Sequence, residues 1–214
     1  MLSAETVPHL LVNNLPLALV HAIEDALIVG ARRAHKTAAG MDRGHLAHVL
    51  GQQRHFLMNE TFHSALVAGD AAPTPIRGNG VISGRSGIFQ LARFNIGLGM
   101  WSNGRRSATR QQMALANREL ERLVQPDLFG ERGPITTGTI FFVSCFTPAN
   151  YSASQEPASI AVAVPNPRMT GWLFREDVTA FAARYNQAAP QEDNVNIKLK
   201  PNVKRDAEPD AAAL

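Results

Sequence analysis

Thr139-Ile140-Phe141-Phe142-Val143-Ser144-Cys145-Phe146 is the stretch on which the fold turns. It carries no charge, is rich in aromatic and β-branched side chains, and is too short for a buried helix. Such a run reads as a strand covered on both faces. A second apolar run, residues 160–164, reads the same way, and the Pro/Ser/Asn-rich residues 147–157 join the two. Helical stretches precede, interrupt and follow the strands, which favours a helix-flanked sheet.

Upstream, residues 81–82 and 88–96 read as the arms of a β-hairpin around the turn-rich Ser83-Gly84-Arg85-Ser86-Gly87. A helix follows over residues 107–124, with Met113, Ala116, Leu120 and Leu123 as its core face. Two further helices come first. One spans residues 16–35, with Pro16 just inside its start, Asn13 and Asn14 available as caps, and Val20, Ile23, Leu27 and Ala31 at helical spacing. The other spans residues 42–67, with Leu46, Val49, Leu50, Gln53, Leu57, Ser64 and Ala65 inward and His45, His48, Gln52, His55, Asn59 and His63 outward. Residues 68–80 form a linker. A last helix is expected over residues 175–186, with Val178, Phe181, Ala182 and Tyr185 on one face.

The expected fold class is α/β or α+β: an N-terminal helical pair, a small central sheet with flanking helices, and a disordered C-terminal tail. Residues 1–187 form one globular domain, divided into a helical part, 1–69, and a mixed part, 78–187. Residues 188–214 form the tail. Within that tail, Val195-Asn196-Ile197-Lys198-Leu199-Lys200 alternates and fits an edge strand.

At 214 residues, with 45% apolar and 18% charged side chains, the composition is that of an ordinary globular protein. The single Cys145 excludes an intramolecular disulfide, and the most apolar stretch, residues 15–31, is interrupted by His21, Glu24 and Asp25. A cytoplasmic protein without a membrane span or secretion signal is therefore expected. The net charge is +3, but residues 71–125 hold eight Arg, no Lys and two Glu. This local excess suits an anionic partner.

Several chemistries are excluded. No lysine occurs between Lys36 and Lys198, which removes a phosphate-loop lysine and a Schiff-base lysine from the folded middle. The glycines of residues 78–84 precede a hairpin instead of opening a helix, so they do not form a dinucleotide-binding turn. There is no Cys pair and no His-Glu-x-x-His, and Cys145 sits in an apolar run that reads as core. All seven histidines lie within residues 9–63. His45, His48 and His55 share one side of their helix but lack a carboxylate to complete a metal site, so no metal and no cofactor is assigned.

Two stretches carry candidate function. Residues 46–57 read as one uninterrupted helix, or alternatively as a helix-turn-helix turning at Gly51, with Arg54 and His55 on its recognition helix. The stronger candidate is Trp101-Ser102-Asn103-Gly104-Arg105-Arg106-Ser107, a turn feeding a helix capped by Ser107. Cations at a helix start oppose the helix dipole, so Arg105, Arg106 and Arg110 there point to an anion. Arg106, Arg110, Arg118 and Arg122 continue as a stripe, with Trp101 placed to stack on a base, although Glu119 and Glu121 supply partners for Arg118 and Arg122. The reading is a nucleic-acid-binding protein, DNA ahead of RNA, contacting phosphates through this turn and helix. The alternatives are an enzyme on a phosphorylated substrate, with an arginine clamp and His48 or His55 as acid or base, and a non-catalytic homo-oligomeric assembly subunit.

Overall fold

The structure, a computed structural model, describes residues 6–124, 134–147 and 153–186. The expected tail, 188–214, and the alternating segment at 195–200 lie outside the described residues.

Six α-helices and a five-stranded mixed sheet make up these residues: α1 Val7–Asn14, α2 Leu17–Ala38, α3 Arg43–Ala68, β1 Ser83–Ser86, β2 Phe89–Gly97, α4 Ala108–Ala114, α5 Arg118–Val124, β3 Gly138–Phe146, β4 Ser159–Pro165, β5 Trp172–Asp177 and α6 Val178–Ala183. This is an α+β fold with an N-terminal helical pair. The strands lie in chain order, β1-β2-β3-β4-β5, antiparallel except for β2 and β3. The parallel β2–β3 pair needs a crossover, and the segment holding α4 and α5 provides it.

The strand at 139–146 is as expected, and every residue of β3 is buried. Its side chains divide by parity between two cores. Ile140, Phe142 and Phe146 join Phe89, Leu91, Val162 and the inner faces of α2, α3 and α6. Phe141, Val143 and Cys145 join Phe94, Ile96, Ala114 and Met169 on the other side, with Trp101 and Trp172 at its margin. Burial pushes the Cys145 thiol above its ordinary pKa, in keeping with a packing role.

α2 and α3 are antiparallel: Gly69 lies beside Leu19, Gly30 beside Met58, and Ala38 clusters with Leu50. A methyl on Gly30 would stand 2.5 Å from Thr61 Oγ1 and 2.7 Å from Met58 Cα. The pair therefore closes only because that position has no side chain.

Several local expectations are corrected. Asn13 and Asn14 do not cap α2: they end a separate helix, α1, and the chain axis turns by 89° into α2. Pro16 is itself the N-cap residue of α2. Asn14 instead braces the hairpin. Its Oδ1 accepts from Ile88 N at 3.2 Å, and its carbonyl accepts from Ser86 Oγ at 2.6 Å. The hairpin turn is narrower than expected, because Ser83–Ser86 is the strand itself. Its outer edge is tied to the preceding loop by Thr74 N–Ser83 O at 2.7 Å and Arg85 N–Ala71 O at 2.5 Å. Gly84 serves close approach to Ala71 and Leu66, whereas Gly87, at φ +53°, makes the turn.

The helix expected over 107–124 is broken by a 3-10 turn, Leu115–Asn117. Leu120 is buried as expected and Met113 and Leu123 pack half-buried against the two cores, but the break makes Ala114 and Asn117 the fully buried positions and leaves Ala116 half-buried. The cause is Asn117, whose Oδ1 accepts from Thr139 N at 2.6 Å while its Nδ2 donates to the carbonyls of Thr139 and Pro165 at 3.1 and 2.8 Å. At the other end, the stretch expected to begin a helix at 175 begins as β5, and Asp177 caps the shorter α6 through Thr179 N at 2.9 Å. The register slips between Val164 and Pro165, which sends Trp172 to one core and Phe174 to the other.

Candidate anion-binding cleft

β1 pairs with β2 only as far as Ala92. Beyond that point β2 continues to Gly97, paired with β3 alone among the strands. α3, the loop before β1 and the start of α4 surround this uncovered stretch and leave a cleft of about 430 Å³. Its walls carry His55 from α3, Asn79 from the loop, Arg93 and Asn95 from β2, and Ser107 and Arg110 from the entry to α4.

Arg93 has the parity of Phe89 and Leu91, so the strand directs it into the helical side of the sheet. It is 6% exposed. Its Nη2 donates to the His55 carbonyl at 3.4 Å, while Nε and Nη1 have no acceptor. No acidic side chain pairs with it among the described residues. Burial pushes its pKa down to about 9. Arg110 lies with its guanidinium 4.5 Å over the Phe94 ring, its Nε also without an acceptor, and burial lowers its pKa too.

The remaining wall has no acidic or basic side chain other than His55, and combines polar groups with the apolar Val81 and Phe94. Asn95 donates to Met58 Sδ at 3.5 Å, leaving its buried Oδ1 without a donor. Burial, and next the Arg93 charge, hold His55 below the ordinary histidine pKa, against a smaller upward pull from Asn79. Its ring stands edge-on to Phe56 at 5.5 Å. Two guanidinium groups line this partly dry cleft, each with a buried N–H that has no acceptor, and guanidinium groups form charge-assisted hydrogen bonds to oxyanions. A neutral imidazole beside them is the form that can take up a proton.

The structure brings His55, Ser107 and Arg110 together here. Ser107 caps α4 as expected, accepting from Arg110 N at 3.4 Å. Arg105 and Arg106 are exposed on the short 3-10 turn Trp101–Arg106, and Gln111 Nε2 donates to the Arg105 carbonyl at 2.5 Å. Ser102 is exposed and Asn103 half-buried on the same turn. Trp101 is half-buried, edge-on to Trp172 at 5.2 Å and beneath the Arg175 guanidinium at 4.6 Å. Arg118 is exposed on α5, beyond the 3-10 break that interrupts the expected arginine stripe. Arg122 pairs with Glu119 at 2.8 Å.

α3 is unbroken through Gly51, so the helix-turn-helix alternative is not formed. Arg54 lies fully inside, 3.9 Å over the Phe146 ring and donating to the Ser154 carbonyl. Asn59, expected outward, is buried, and Ser64, expected inward, is exposed. His45 and His48 are exposed, and no group of three metal-ligating side chains occurs among the described residues. Among the same residues no single helix is long and apolar enough to cross a membrane.

Sequence reasoning did not single out Arg93 or Asn95. The signal was available: both share the parity of Phe89 and Leu91, on the buried face of a strand whose other residues, Gln90 apart, are apolar, and a polar or charged side chain there needs an explanation. No protein-family model matches this chain, and neither a curated protein nor a solved structure matches it.

Proposed function

We propose that this protein binds a phosphate-bearing ligand in the cleft between α3, β2 and α4, with Arg93 and Arg110 gripping the oxyanion. The observation that carries this reading is Arg93, a guanidinium buried with two nitrogens unpaired and, among the described residues, no carboxylate paired with it. A buried charge without a counter-charge is costly, and such groups are normally paired. A phosphate entering the cleft supplies both the charge and the acceptors. Calorimetric titration with inorganic phosphate and a simple phosphate ester tests this. Saturable binding by the wild type that Arg110→Gln weakens at least about tenfold is expected, the worth of one charge-assisted hydrogen bond. Equal affinity in the two proteins, or no heat with either ligand, overturns it.

A nucleic-acid ligand is the second reading. It is favoured by Arg105 and Arg106, both exposed just before Ser107 and in no ion pair among the described residues. Contacts of that kind predict an affinity for DNA or RNA that falls steeply with salt. Salt-independent binding, or none to any strand, removes this reading and leaves the cleft untouched.

A further inference from the structure

The anion cleft does not end at His55. A second cavity, of about 460 Å³, runs along α3 and is lined by His48, Gln52 and Phe56. It shares Gly51, His55 and Asn79 with the first, so the two are lobes of one groove. From His55 back to His48 the helix rises about 10 Å, well beyond what a bare oxyanion occupies.

The two lobes differ chemically. The inner one holds both guanidinium groups and the orphaned acceptor Asn95 Oδ1, which calls for a hydroxyl or amine on the ligand. The outer one has no Lys, Arg, Asp or Glu in its lining. It offers the ring of Phe56, 39% exposed, and the Gln52–His48 pair, hydrogen-bonded at 3.2 Å. An exposed aromatic face beside an amide and an imidazole suits a flat, neutral heterocycle with donors and acceptors on its edge. A second anionic group would find no counter-charge there.

Resting on the phosphate reading above, we infer that the groove takes one nucleoside monophosphate unit, either a free nucleotide or the 5′-terminal nucleotide of a strand. The phosphate meets Arg93 and Arg110, a sugar hydroxyl donates to Asn95 Oδ1, and the base lies against Phe56 within reach of Gln52 and His48. Stacking one base is worth about 1–3 kcal/mol, or roughly fivefold to 150-fold in affinity.

The test is calorimetric titration of the full chain with inorganic phosphate, ribose 5-phosphate, the four nucleoside 5′-monophosphates, and a short strand with or without a 5′-phosphate. At least one nucleotide, or the phosphorylated strand, is expected to bind about tenfold tighter than ribose 5-phosphate. Phe56→Ala, a change at a partly exposed position, is expected to bring that ligand down to the ribose 5-phosphate level. A preference confined to free nucleotides identifies the free source; tight binding of the phosphorylated but not the hydroxyl strand identifies the strand end. Equal affinity for phosphate, ribose 5-phosphate and every nucleotide ligand overturns this inference while the phosphate reading stands, as does an unchanged preference in Phe56→Ala. Failure of all ligands overturns both.

Discussion

The turn holding Arg105 and Arg106 and the cleft holding Arg93 and Arg110 carry the same functional group within residues 93–110 of the chain, yet they sit in different surroundings. Arg105 and Arg106 are exposed, solvated and screened by salt. Arg93 has lost its water and, among the described residues, gained one carbonyl in return, and Arg110 has exchanged part of its hydration for the face of Phe94. An exposed guanidinium is content without a ligand and discriminates weakly. One that is buried and unpaired is a standing cost that an anion relieves. The difference comes from strand parity at Arg93 and from the cap at Ser107 that aims Arg110 into the cleft.

The largest effect should come from removing what holds α4 in place. Asn117→Ala leaves the Thr139 N–H and two carbonyls without their partner, and is expected to cost about 3 kcal/mol in a denaturant titration. A loss below about 1 kcal/mol would show that the crossover is held by its apolar contacts instead.

Next comes Arg93→Met, which removes the buried charge and keeps most of the volume. The ligand-free protein should be stabilised by about 2 kcal/mol, with its melting temperature rising accordingly, while phosphate no longer stabilises it. A lower melting temperature would make Arg93 a structural donor to the His55 carbonyl and erase the contrast with the exposed turn.

Arg105→Ala/Arg106→Ala should change stability by no more than about 0.5 kcal/mol and phosphate affinity by less than about twofold, as expected of solvated charges. A loss of phosphate affinity matching that of Arg110→Gln would merge the turn and the cleft into one site.

The smallest effect concerns pH. The folded pKa of His55 lies below the ordinary histidine value of 6.5, chiefly through burial and then through Arg93. As pH falls through 6.5 the unfolded chain takes up this proton before the folded one does, so stability is complete above 6.5 and declines towards the folded pKa. His55→Gln should flatten that decline in melting curves recorded as pH is lowered from about 7. A bound phosphate offsets the Arg93 charge and raises the His55 pKa, so phosphate affinity should increase as pH falls across the same window. A pH-independent affinity would place His55 away from the anion.

Much of the fold was legible in the residues themselves. The uncharged 139–146 run, the helical spacing of Val20, Ile23, Leu27 and Ala31, and the Ser107 cap each express a local preference that the tertiary structure keeps. Such patterns settle which element forms, because sterics, periodicity and capping act over a few residues. Tertiary contact decided the rest. Packing against the sheet set which face of α3 is covered, placing Arg54 and Asn59 inside and Ser64 outside. Asn117 broke a helix that propensity alone would continue, because its amide had three backbone partners waiting on β3 and β4. The cleft is the extreme case. It exists because β1 stops pairing at Ala92 while α3 and α4 close over the uncovered strand, and no segment of sequence contains that meeting of distant elements.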